Sequence, residues 1–159
     1  MALAVYVIIT WLVILCFTLL PKKLSFIENS FVFLIMSIII KNSFTIVGLN
    51  LKWIESNKEP EIFLAYFLYR TIIYPFALLF LVNIVNTSNR SLPKYLTTIS
   101  VIFFIFLVEI LGEKLNIYTY NEWNNWYSIT EIILFAYLSF LATKFIRYFS
   151  QRKYHHESI

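Results

Sequence analysis

The sequence predicts an all-α integral membrane bundle of about five transmembrane helices, with the N-terminus outside and the C-terminus in the cytoplasm. Three observations predict it. Of 159 residues, 60% are hydrophobic and only 14% charged, with a mean hydropathy of +0.73. A water-soluble domain averages about 45–50% apolar and about 25% charged residues, so this chain has too little polar surface to face water as a globule. The apolar residues fall into runs of about 20, the length that crosses a hydrocarbon core of about 30 Å. Basic residues outside the runs gather in alternate connections, the bias that sets orientation in a bilayer.

The first run, residues 2–20, stops at Pro21, Lys22 and Lys23. It lacks a basic leader and a small-residue cleavage site before Pro21, so it reads as a retained helix rather than a removed signal. Cys16, the only cysteine, then reads as a small hydrophobe in the core or facing lipid, and an internal disulfide is excluded. The second run is residues 31–51, with Lys41, Asn42 and Ser43 near its middle. An alternative register, 24–40, sets Lys41 at the outer interface and lays 44–51 along the surface, but it buries Glu28, and 31–51 is preferred. The third run is residues 62–85. Within it Pro75 removes a backbone hydrogen bond and frees the carbonyl of Thr71, which predicts a kink, either a tolerated membrane proline or a hinge beside Arg70. The fourth and fifth runs are residues 95–112 and 127–146. Residues 1–146 thus form one transmembrane domain, and 147–159 a basic cytoplasmic tail. The connections are short, so neighbouring helices are expected to be antiparallel.

Lys22, Lys23, Arg90, Lys94, Lys144, Arg147, Arg152 and Lys153 lie on one side of this topology; Lys52, Lys58 and Lys114 lie on the other. The richer side is the cytoplasmic one. The net charge of +4 is therefore mostly cytoplasmic and suits anionic lipid headgroups. Basic residues so few and so close to the bilayer do not suggest a nucleic-acid partner.

Four ionisable residues fall inside expected spans: Lys41, Arg70, Glu109 and Glu131. Each costs about 2.5–3.5 kcal/mol at the bilayer centre, so such residues turn inward and find partners. Two cations and two anions balance, and depth places all four in the outer half of the bundle. Two readings follow: a polar pocket for an ion, a proton relay or a small charged substrate, or a set of pairs that locks helix packing. Tyr66 and Tyr74 flank Arg70 at four-residue spacing, Glu113 follows Glu109 at the same spacing, and Tyr127 lies one turn before Glu131.

The connection 116–128 carries Tyr118, Tyr120, Trp123, Trp126 and Tyr127. It reads as an interfacial aromatic belt or as an outer platform that stacks on a sugar or holds a cation. In the tail, Arg147, Tyr148, Arg152, Lys153, His155 and His156 are either solvated or grip headgroups. Other chemistries are missing. The chain has no Asp, its only glycines are Gly48 and Gly112, and its only histidines are the tail pair. No phosphate-cradling loop, acidic Mg²⁺ site, zinc site or haem site is readable, so no metal, cofactor or enzymatic activity is expected.

The segment from Glu109 to Ser128 reads E-I-L-G-E-K-L-N-I-Y-T-Y-N-E-W-N-N-W-Y-S. It resembles a family of uncharacterised small polytopic membrane proteins from Bacillus- and Clostridium-type bacteria, in which an acidic residue precedes a Y-x-x-W-x-x-W-Y-S-like stretch. The matching positions are Glu109, Tyr120, Trp123, Trp126, Tyr127 and Ser128, with the Tyr74–Pro75 pair as a further likeness. The resemblance implies a bacterial plasma membrane and brings no activity with it. The expected function is a non-catalytic subunit or envelope-associated factor, working with a membrane-protein partner or a second copy of itself. The alternative is a small transporter or channel component using the Lys41, Arg70, Glu109 and Glu131 set.

Overall fold

The computed structural model describes residues 1–88 and 90–156, with side chains through Phe149. Helix α1 (Ala2–Leu19) is apolar on every face and ends where Leu20 turns extended before Pro21. Helix α2 (Phe26–Thr45) begins earlier than the expected 31–51, because Ser25 caps it. The Ser25 Oγ accepts from the Glu28 N–H at 3.2 Å, and Glu28 Oε2 accepts from the Ser25 N–H at 2.7 Å. This reciprocal box satisfies two helix-start donors, so Glu28 sits at the helix mouth rather than unpaired inside it. A π turn (Ile46–Asn50) carries the helix on.

The third span is helix α3 (Pro60–Leu68), a π turn (Tyr69–Ile73) and helix α4 (Tyr74–Thr87) in one run. Just before Pro75, where the sequence predicts a kink, the helix widens into this π turn, in which the Tyr74 N–H donates to the Tyr69 carbonyl. A π turn absorbs the missing proline donor without breaking the helix. Helix α5 (Ser91–Lys114) forms the fourth span. Helix α6 (Asn125–His156) runs on through the first ten residues of the expected tail. The side chains of Arg152, Lys153, His155 and His156 lie outside the described residues.

Five helices are long and apolar enough to cross a membrane: Ala2–Leu19, Phe26–Asn50, Pro60–Thr87, Ser91–Lys114 and Asn125–Phe149. The third is 56% buried, against 22–28% for the others. It is the central helix and packs against each of the other four.

The sequence predicts short connections and assigns them no strand. At one end, however, β1 (Ile54–Ser56) pairs antiparallel with β2 (Tyr118–Tyr120), with Ile54 opposite Tyr120 and Ser56 opposite Tyr118. Asn116 enters this ribbon at φ 53 and Lys52 at φ 56, the left-handed turns that end the helices before it. At the opposite end, Asn83 Nδ2 donates to Asn29 Oδ1 at 2.7 Å, Asn29 Nδ2 donates to the Leu24 carbonyl at 2.9 Å, and both amides are buried. Arg147 Nη1 donates to Asn86 Oδ1 at 2.8 Å and its Nε lies 3.7 Å from Glu28.

Candidate functional site

Glu109 stands at the ribbon end of α5 and is 3% exposed. A carboxylate so placed needs hydrogen-bond donors. Ser128, in the first turn of α6, donates from Oγ to Glu109 Oε1 at 2.7 Å, and Tyr120, closing β2, donates from Oη to the same oxygen at 2.8 Å. Trp123 Nε1 donates to Ser128 Oγ at 2.8 Å, so a chain of hydrogen bonds runs from indole through hydroxyl to carboxylate. Two more tyrosines grip the same stretch of helix backbone. Tyr118 donates to the Glu109 carbonyl and Tyr6, from α1, to the Val108 carbonyl at 2.7 Å. Gly112 permits the first of these: a Cβ there would lie 2.6 Å from the Tyr118 hydroxyl. Burial first, then the Glu109 charge, holds the Tyr120 phenol well above the usual tyrosine range, and burial does the same for Tyr118. Both hydroxyls therefore remain donors at neutral pH.

Glu131 lies one turn further along α6. Ser43 donates from Oγ to its Oε1 at 2.6 Å, which ties α2 to α6. Between the carboxylates runs a web of rings. Tyr69 and Tyr74 lie 5.6 Å apart, each packs edge-on against Phe44, and Tyr66 continues the web to Tyr118 at 5.9 Å. The hydroxyls of Tyr69 and Tyr74 are fully buried and find no hydrogen-bond partner among the described residues.

Of the four candidates, Glu109 and Glu131 are each held by hydroxyls, Glu109 by Ser128 and Tyr120 and Glu131 by Ser43. Arg70 sets its guanidinium over the Tyr66 ring at 5.1 Å, as the four-residue spacing suggested, while the π turn carries Tyr74 away into the core. Lys41 is exposed on the outside of α2. It stands two residues before Ser43, about 200° around the helix, so when Ser43 faces α6, Lys41 faces away. Among the described residues no ion pair joins any of the four; the pair present is Glu28 with Arg147.

The aromatic connection separates into two parts. Trp53 lies 5.8 Å from Tyr127 and 6.2 Å from Trp123, and Trp123 lies 5.5 Å from Tyr127. These three rings pack into one cluster, near the ribbon ends in sequence. Trp126 stands apart, 73% exposed. Sequence reading missed Tyr6, Trp53 and Tyr69, because each gains its meaning from a partner on another segment. The faint signal for the ribbon is the alternation Tyr118-Thr119-Tyr120, in which both tyrosines turn toward Glu109. The chain matches no family model, no curated protein and no solved structure.

Proposed function

We propose that this chain is a multi-pass protein of a bacterial plasma membrane, N-terminus outside and C-terminus inside, acting as a non-catalytic factor whose outer end is a fixed recognition head. The orientation rests on the alternation of basic residues, and the bacterial membrane on the resemblance of the Glu109–Ser128 segment. One observation carries the functional reading. A buried carboxylate, Glu109, ties α5, the ribbon and α6 into one unit, while Trp126 and Tyr127 remain at least half exposed beside it. Rigid aromatic side chains on a braced support are the elements of a contact surface.

Orientation is tested with the cysteine at Cys16 replaced by serine and single cysteines placed at Asn57 or Ser88. A membrane-impermeant maleimide should label the first in intact cells and the second only after permeabilisation; the reverse pattern inverts the proposal. The contact surface is tested in a deletion strain. Trp126→Ala with Tyr127→Ala should leave the inserted protein level unchanged and abolish complementation. Full complementation would remove this surface from the function.

A second reading, transport of protons or small cations, is favoured by the buried hydroxyls of Tyr69 and Tyr74, which find no hydrogen-bond partner among the described residues. Such groups can pass a proton between carboxylates. Purified protein in liposomes would then collapse an imposed pH gradient, and Glu131→Gln would stop it; gradients equal to those of empty liposomes would end this reading.

A further inference from the structure

Beside the ribbon, three cations converge on one opening. Arg70, Lys52 and Lys58 line a cavity of about 570 Å³ in which Glu55 is the one carboxylate. The three arrive from separate segments: Arg70 from the π turn of the central span, Lys52 from the turn that ends the second span, and Lys58 from the loop after β1. None of the three is ion-paired among the described residues. Like charges gathered without matching counter-charge make a site that an anion stabilises.

Two features show that the arrangement is built. Tyr66 lies under the Arg70 guanidinium at 5.1 Å and fixes its plane. Lys52 holds a left-handed backbone, φ 56, which glycine adopts freely and lysine does not. That turn is pinned from both sides. Asn121 Nδ2 donates to the Lys52 carbonyl at 3.2 Å, and the Trp53 N–H donates to the Val47 carbonyl at 3.1 Å. A lysine held where the backbone favours glycine points to a use for its ammonium.

The cavity is also partly apolar. Phe63 and Leu49 line it and are 49% and 73% exposed on the outside of the bundle. Its cationic floor therefore continues sideways onto the greasy flank of the protein. A ligand that fits both has an anionic head and a hydrocarbon tail. The formal excess of two positive charges matches a phosphomonoester, which carries about −1.5 to −2 at pH 7.

We infer that this cavity binds the phosphate headgroup of a membrane lipid, with a preference for a phosphomonoester, entering laterally from the bilayer. The inference rests on the membrane insertion proposed above. The test uses the full chain purified in mild detergent, with phosphatidic acid, phosphatidylcholine and inorganic phosphate as probes. Binding is read by native mass spectrometry and by thermal unfolding.

Phosphatidic acid should stay bound and raise the unfolding temperature by several degrees, while phosphatidylcholine should do neither. Lys52→Gly relieves its own backbone and so keeps the fold; it and Arg70→Gln should each weaken phosphatidic acid binding about tenfold. If Arg70→Gln fails to fold, Lys52→Gly alone decides. Equal binding of both lipids, or wild-type binding by Lys52→Gly, overturns the inference. Protection by inorganic phosphate as strong as that by phosphatidic acid overturns the lipid part and leaves a soluble-anion site. Cysteine labelling at Asn57 reports separately: labelling only after permeabilisation, with phosphatidic acid selectivity intact, overturns the outward orientation and leaves the site standing.

Discussion

The two ends of this bundle are closed by different chemistries. At the ribbon end a carboxylate gathers hydroxyl donors from two other segments, Tyr120 of β2 and Ser128 of α6. At the opposite end two amides, Asn29 and Asn83, each donate and accept, and they close the loop before α2 among themselves. A carboxylate only accepts, so its loss strands every donor around it at once. An amide pair spreads the same task over more bonds. The ribbon end therefore concentrates its stability in one residue, and the asparagine end shares it.

The sharpest test of that contrast is Glu109→Ala. It leaves the buried hydroxyl of Ser128 and the half-buried hydroxyl of Tyr120 without this acceptor, at about 1–3 kcal/mol for each unsatisfied buried group. A loss of about 3 kcal/mol is expected in reversible unfolding in mixed micelles, with Glu109→Gln losing less because the amide oxygen still accepts. Equal losses for the two would mean that the packing of the side chain matters and its acceptor does not.

Asn83→Ala should cost less, about 1–2 kcal/mol. A double-mutant cycle with Asn29→Ala should return a coupling of about 0.6 kcal/mol, the usual scale for such bonds between membrane helices. Glu109→Ala and Asn83→Ala combined should be additive within about 0.5 kcal/mol, as separate sites are. A larger coupling between the ends would break the comparison.

Alkali should separate the ends as well. The Tyr120 phenol has a folded pKa raised above that of the unfolded chain, so its contribution is fully present below about pH 10 and is lost as pH rises beyond it. Fluorescence of Trp53 and Trp123, which sit beside it, should change above that pH. Tyr120→Phe, at a loss of about 1 kcal/mol, should blunt that change. A transition that begins near neutral pH in both proteins would assign it to another group.

The smallest effect belongs to Arg147→Gln. Its contact with Glu28 is long, 3.7 Å, and the Arg147 side chain is 32% exposed, so the ion pair contributes under about 1 kcal/mol. That loss should shrink further in high salt, whereas the Glu109 loss should not. Salt sensitivity at the ribbon end would place its carboxylate in contact with bulk ions.

The helical spans were legible because each is a long apolar run, and length and composition suffice to recognise those. That Glu109 has partners was legible too, since a carboxylate in such a run needs them. Its actual partners were not. Charge balance pointed to Arg70 and Lys41, but the helix phase that turns Ser43 toward Glu131 turns Lys41 outward, and hydroxyls took the role expected of cations. The start of α2 was obscured for a related reason. The Ser25–Glu28 box is a plain helix-start signal, but Glu28 looked too costly to bury, and the structure resolves this by keeping its carboxylate at the helix start on the Ser25 N–H. The three-residue strands were illegible because two-residue alternation needs more residues than Ile54–Ser56 or Tyr118–Tyr120 supply.

The helices of this bundle are unequal in reach. Ala2–Leu19 has 18 residues and Pro60–Thr87 has 28, about 27 Å and 42 Å at about 1.5 Å per residue. A hydrocarbon layer about 30 Å deep fits the first standing upright and the second only if it leans or extends into the headgroups. Packed side by side, the two cannot both be suited by a thick bilayer: the short helix would draw its polar ends inward, or the lipids around it would have to thin. In the bilayer proposed for it, the chain would then collect where the membrane is already thin, and elastic fit would bias where in a cell it resides.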